Sequence, residues 1–170
     1  MDVATFADQL TRTGRAIEEL VRDLSSEEVR WKPDPERWSI LEILCHLLDE
    51  EREDFRQRID YTLHRPGEPW PGIDPQGWVS KRRYAERDLE ETVRAFRQER
   101  ARSVVWLKEL GEPAWDASYQ HPRAGTLRAG DLMASWLAHD LLHIRQIVRM
   151  QYDYLDRMTS GYGPAYAGRW

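Results

Sequence analysis

Four separated stretches of this 170-residue chain carry apolar side chains at alternating steps of three and four. That rhythm limits the fold more than any other feature, because it is the signature of helices that each bury one stripe. In the first stretch, about 3–24, Phe6, Leu10, Thr13, Ile17, Leu20 and Leu24 fall in one line. The second, 39–64, opens on Ser39-Ile-Leu-Glu42, whose serine and glutamate have the spacing of a capping box. It is apolar on most sides as far as Leu48, then keeps only Phe55, Ile59 and Leu63. The third, 80–110, is marked by Leu89, Val93, Phe96, Arg100, Ser103, Leu107 and Leu110, and Gly111 and Pro113 end it. The fourth starts between 126 and 131 and runs to about 156, with Leu132, Trp136, His139, His143, Ile147 and Met150 in line.

These stripes predict an all-α fold, an up-down-up-down four-helix bundle filling one domain, 1–170. The connections read as follows. Residues 25–31 make a short turn capped by a serine, which Lys32-Pro-Asp-Pro35 breaks. Residues 65–77 are rich in turn dipeptides and predict a loop. Residues 115–125 predict an irregular connection. The tail from Thr159 has too much glycine and proline for a helix, and its aromatics suggest packing back on the bundle or onto a partner chain.

Composition excludes several function classes. No apolar run approaches the roughly 18–20 residues of a membrane helix. The first residues lack a basic segment followed by an apolar one, so no secretory signal is expected. Cys45 is the only cysteine, which fits a reducing, cytoplasmic setting. A net charge of −5, with arginines interleaved among acids, argues against a nucleic-acid partner.

His139 and His143 stand four residues apart, on one face of an apolar helix. Two polar rings there need something to satisfy them, and a divalent ion does so by taking a neutral nitrogen from each. His46 is the candidate third ligand. In an up-down-up-down bundle, helices two and four run parallel. His46 lies seven residues past its cap, about 10 Å at roughly 1.5 Å per residue, and His139 lies at a comparable depth. The opposing reading is that the histidines are simply hydrogen-bonded core residues. Three imidazoles with open positions would make a catalytic rather than a structural layout. Zinc, nickel, iron or manganese would fit the ligand type.

Other polar residues carry less. Glu50 and Asp49 could orient a ligand or accept a proton, but an exposed helix charge is the commoner role for each. Asp140 points away from His139. Cys45 shares a stripe with Leu41 and Leu48, as a small core residue does. His64 and His121 read as solvated loop histidines. The parallel arrangement puts the site at the end carrying the first and third connections, making Trp31, Trp38, Trp115, Tyr119 and His121 candidate pocket walls. The 65–79 loop then falls at the opposite end, with no lid role.

Trp38-Ser-Ile-x-Glu-Ile-x-x-His46-Leu-x-Asp49 resembles the second-helix motif of the DinB-like (DinB/YfiT) superfamily, and His139-Asp-x-x-His143-Ile-x-Gln-Ile147 resembles its fourth-helix motif. The resemblance implies a homodimeric four-helix bundle whose His46, His139 and His143 hold a divalent metal, zinc or nickel foremost. Characterised relatives include bacillithiol S-transferases and mycothiol-dependent maleylpyruvate isomerases, so a low-molecular-weight thiol is an implied co-substrate. Two functions follow as expectations. One is a metal-dependent enzyme activating a small thiol or water against a small-molecule substrate. The alternative is a non-catalytic, stress-related helical dimer with structural histidines.

Overall fold

The computed structural model describes residues 2–168. Helix α1 spans Val3–Val21, capped by Asp2, and the short α2 spans Ser26–Arg30, capped by Ser25 as expected. The capping box forms: the Ser39 hydroxyl accepts from the Glu42 amide, and the Glu42 carboxylate accepts from the Ser39 amide. From it runs α3, Ile40–Glu53, and after a single non-helical residue, Asp54, the chain continues as α4, Phe55–His64. The third long helix, α6 (Leu89–Glu109), follows a separate α5 (Pro75–Lys81) and a 3-10 turn at Tyr84–Glu86. It therefore begins nine residues later than the expected 80, because Arg83 turns left-handed at φ 51° and Asp88 caps the next amides. The expected irregular connection holds an antiparallel hairpin, β1 (Ser118–His121) against β2 (Gly125–Arg128). Helix α7 spans Ala129–Met158.

The fold class is as expected, a four-helix bundle of α1, α3–α4, α6 and α7. The helix directions are not up-down-up-down. Arg97 pairs with Glu18 and Arg100 reaches the Leu10 carbonyl, so α6 runs against α1. Arg100 binds Glu51 while Arg56 reaches Ser103, so α6 runs with α3–α4. His46 faces His139 and His143 while Phe55 stacks on Trp136, so α7 runs against α3–α4. The order is up-down-down-up. Each of α1 and α3–α4 packs chiefly on α6 and α7, so α1 lies diagonally across from α3–α4 and α6 from α7, while the consecutive α3–α4 and α6 are neighbours.

This topology has a consequence for the 65–88 segment. Because α4 and α6 point the same way, their connection must travel back along the bundle. Trp70 stacks on Tyr119 at one end, 4.1 Å between ring centroids, while Ile73, Trp78 and Tyr84 join the core cluster containing Leu44 and Cys45. The loop is thus a crossover serving both ends, not an element of the far end alone. The aromatics of the described part of the tail, Tyr162 and Tyr166, are exposed rather than packed on the bundle. Trp170 lies outside the described residues.

The core divides into two apolar clusters with a polar layer between them. One gathers Ile17, Ile40, Leu44, Phe96 and Ile147; the other gathers Leu10, Phe55, Leu107, Met133 and Trp136. Between them lies Arg100, 5% exposed. Its guanidinium donates to Glu51 and Asp140 at 2.6–3.0 Å, to the Leu10 carbonyl at 2.9 Å and to Thr13. Thr13 also donates to Asp140, and the Trp136 indole donates to Glu51. Gly14 leaves the room: a Cβ there would stand 3.1 Å from Arg100 Cγ.

Truncating a partner in a buried ionic network leaves the others charged and dry, at a cost of about 3–5 kcal/mol. Arg100→Ala is expected to lose stability on that scale in urea denaturation. A loss below about 1 kcal/mol would show that Glu51 and Asp140 do not depend on it.

Candidate metal centre

Residues His46, His139 and His143 meet on the seam between α3 and α7. Nε2 of His139 lies 3.2 Å from Nε2 of His46 and 3.1 Å from Nε2 of His143. Among the described residues, this is the one set of three or more His, Cys, Asp or Glu whose ligand atoms converge. The histidines come from the expected pair of helices, but these run antiparallel rather than parallel. His46 lies mid-way along α3, and His139 and His143 lie near the middle of α7.

Three imidazole nitrogens facing one another cannot all be satisfied by mutual hydrogen bonds. Neutral rings offer one N–H each, and a protonated pair would repel. Ligands held about 2.0–2.1 Å from one ion sit roughly 3.0–3.4 Å apart, so the His46–His139 and His139–His143 edges fit a shared divalent ion, with all three ligand atoms within 4.8 Å of one another. Electrostatics agrees. Burial, then the neighbouring histidines, pushes the pKa of His46 down to about 3. Burial and His143 push His139 down to about 4. Burial lowers His143 as well, against the opposing pull of Gln146. The rings are therefore held neutral, with lone pairs available for ligation.

The tautomers are partly fixed by neighbours. His143 Nδ1 lies 2.8 Å from Gln146 Oε1, and a carbonyl oxygen only accepts, so Nδ1 carries the proton and Nε2 keeps its lone pair. His46 Nδ1 has no hydrogen-bond partner, nor has Glu50 Oε1, 3.9 Å away. Glu50 is 4% exposed, so the expectation of a solvated helix charge fails there. Burial, followed by the adjoining Asp54 carboxyl, raises its pKa to about 9. A cation on His46 would draw this carboxyl into its charged, hydrogen-bond-accepting form.

The other sequence candidates separate cleanly. Trp38 packs on His46, with ring centroids 4.8 Å apart, as a wall residue should. Phe55 covers His139 from the other side at 5.1 Å. Trp31 sits at the same end of the bundle but packs on Tyr154. Trp115, Tyr119 and His121 are at the opposite end, against Phe6 and Trp70, because α6 runs with α3–α4 and delivers the third connection there. Asp49 is buried too, but turns to the Tyr84 hydroxyl and Arg82. Asp140 faces Arg100. Burial pushes the Cys45 thiol up to about 12, which suits a core residue. His64 is exposed beside Asp60.

Above the triad the cleft is open. A cavity of about 440 Å³ is lined by Glu36, Arg37, Trp38, His46, Gln76, His143 and Gln146. Sequence reasoning missed Arg37 and Gln76. Arg37 stands directly before Trp38 and two residues ahead of the capping serine, Ser39, which was a signal; Gln76 arrives by the crossover, which had none.

A family model described as the DinB superfamily matches residues 9–147. The fold is also similar to a solved structure, YfiT from Bacillus subtilis. That protein is described as a probable metal-dependent hydrolase with an unusual four-helix bundle topology. The TM-score is 0.79 at 13% identity, covering 89% of this chain and 87% of that one. No curated protein matches the sequence significantly.

Two outcomes test these roles. Loss of a ligand-orienting partner typically weakens metal affinity about 10–100-fold. Gln146→Leu should do so in a competition titration while leaving the helical circular dichroism unchanged. The second is a pH dependence of the metal-free protein. Depressed imidazoles stabilise the fold above their ordinary value of 6.5, a contribution lost as pH falls toward about 3–4. Glu50 works the other way, its contribution being complete below 4.5 and lost as pH rises through about 9. Between pH 5 and 7 the two oppose each other. Glu50→Gln removes one of them, so denaturant stability should fall more steeply from pH 7 to pH 5 in the variant than in the wild type.

Proposed function

The chain belongs to the DinB superfamily, and from that membership we propose that it is a divalent-metal-dependent enzyme with His46, His139 and His143 as ligands. The observation that carries the reading is the convergence of three neutral imidazole nitrogens, two edges of 3.1–3.2 Å, at the base of an open cleft. A bound divalent ion supplies Lewis acidity there and lowers the pKa of a water or small thiol, giving a nucleophile at neutral pH.

The chain's own residues do the rest. Gln146 holds His143 in the ligating tautomer. Glu50 Oε1 lies 3.9 Å from Nδ1 of His46, close enough to accept from it after a small side-chain movement and to store a proton beside the site. Trp38 and Phe55 cover the imidazoles on two sides, which keeps bulk water off the ligand faces and leaves the cleft as the approach. Gln76 and Arg37 offer a neutral donor–acceptor and a cation to a molecule entering it. Hydrolysis of a small electrophile is the first reading, since the fold-sharing YfiT is described as a probable metal-dependent hydrolase. Transfer to a low-molecular-weight thiol is the second, on the motif resemblance.

Purified protein should bind about one zinc or nickel ion per chain, and His143→Ala should lower that severalfold. A panel of activated esters and amides, run with and without small thiols, should show turnover that chelator abolishes and re-added metal restores. Turnover dependent on thiol would select transfer over hydrolysis. Chelator-insensitive turnover, or no turnover by fully metallated protein, would contradict the enzyme reading.

A further inference from the structure

The rim of the cleft carries a charge pattern opposite to that of the whole chain. Adjoining the triad, and sharing Arg37, His143 and Gln146 with the cleft, is a second hollow of about 540 Å³. Its other lining residues are Leu142, Arg145 and Arg149. Three arginines therefore ring one mouth in a chain of net charge −5. Their nearby acids are fewer. Asp153 lies 2.8 Å from Arg149 and 3.9 Å from Arg37, and Glu36 lines the cleft side. Among the described residues Arg145 makes no hydrogen bond or ion pair, so its guanidinium is free to take a ligand.

At about 3.6 residues per turn Arg149 stands roughly 120° and Arg145 roughly 160° round α7 from His143, so both long side chains reach the hollow from the flank of the helix rather than from the face that presents the imidazoles. Arg37 enters from the turn before the capping box, on the facing side. Leu142, 52% exposed, adds an apolar contact between the imidazoles and the cations. A guanidinium binds a planar or tetrahedral oxyanion through paired N–H donors.

We propose that the substrate of this site is a small anionic molecule whose carboxylate or phosphate is held by Arg145, assisted by Arg37 and Arg149, while its reacting end lies over the histidine triad. The proposal rests on the metal-site reading for the reacting end only. The arginines would hold the anionic end whether or not the ion is present. The cationic rim also raises the encounter rate with anions, an effect that salt weakens.

The test uses three probes on zinc-loaded protein: succinate, 3-phosphonopropionate and monomethyl succinate, the last lacking the second charge. Affinities come from ligand-observed NMR titration. In the wild type at low salt, at least one of the two multiply charged probes should bind at least about tenfold tighter than the monoester, the scale of one charge-assisted paired contact. In Arg145→Gln that advantage should shrink to about twofold or less, with zinc content unchanged. Whichever probe shows the larger advantage identifies the tail as carboxylate or phosphate. An equal affinity for all three in the wild type, or an advantage that survives Arg145→Gln, would overturn the proposal. Zinc content of the same samples is read separately. A chain that takes up no zinc contradicts the metal reading, and the probe ratios measured on it still decide the arginine site.

Discussion

One buried guanidinium touches every long helix of this molecule. Arg100 reaches α1 through Leu10 and Thr13, α3 through Glu51 and α7 through Asp140, from its own place on α6. Desolvating such a cation is expensive, and it is tolerated here because two carboxylates, a carbonyl and a hydroxyl surround it in bonding geometry. Apolar stripes can slide by a turn at modest cost, whereas this network has one register. That register passes directly to the site. Glu51 follows Glu50 and stands five residues past His46, and Asp140 is the neighbour of His139. Locking Glu51 and Asp140 to one guanidinium thus fixes α3 against α7 at the level where the imidazoles meet.

The helix directions determine what else reaches that level. With α7 antiparallel to α3, the triad lies mid-way along the longest helix rather than at a bundle end. The remaining turns of α7 then extend past the site and form its rim, placing Arg145 and Arg149 beside the cleft. With α4 and α6 parallel, the chain must return along the bundle, and the returning segment supplies Gln76. The three imidazoles are held by packing, His46 buried and His139 and His143 partly so, while the approach is polar and exposed. That division suits a site that keeps open coordination positions for a small molecule.

Much of this was legible in the sequence because helical periodicity and ligand chemistry are local signals. The capping box, the i, i+4 histidines and the apolar start of helix two needed only nearest-turn reasoning. Arg100 was visible as a cation inside an apolar stripe, although its partners were not. Directions were illegible for a physical reason: an apolar stripe is buried equally well with its helix pointing either way, so periodicity cannot separate up-down-up-down from up-down-down-up. The misplaced walls Trp115, Tyr119 and His121 and the misplaced 65–79 loop all descend from that one ambiguity. The hairpin escaped because Ser118–His121 and Gly125–Arg128 are four residues each, with a single threonine as their only β-branched residue. Glu50 and Asp49 escaped because burial of an acid depends on which helix faces it, a tertiary fact.

We propose that three imidazoles, with no fourth protein ligand, hold one divalent ion beside an open cleft. X-ray absorption at the metal edge of zinc-loaded protein tests this most directly. Three imidazole nitrogens at about 2.0–2.1 Å are expected, with the remaining shell made of light oxygen scatterers. A shell with fewer than three imidazoles, or one closed by a sulfur or a fourth protein nitrogen, would contradict it.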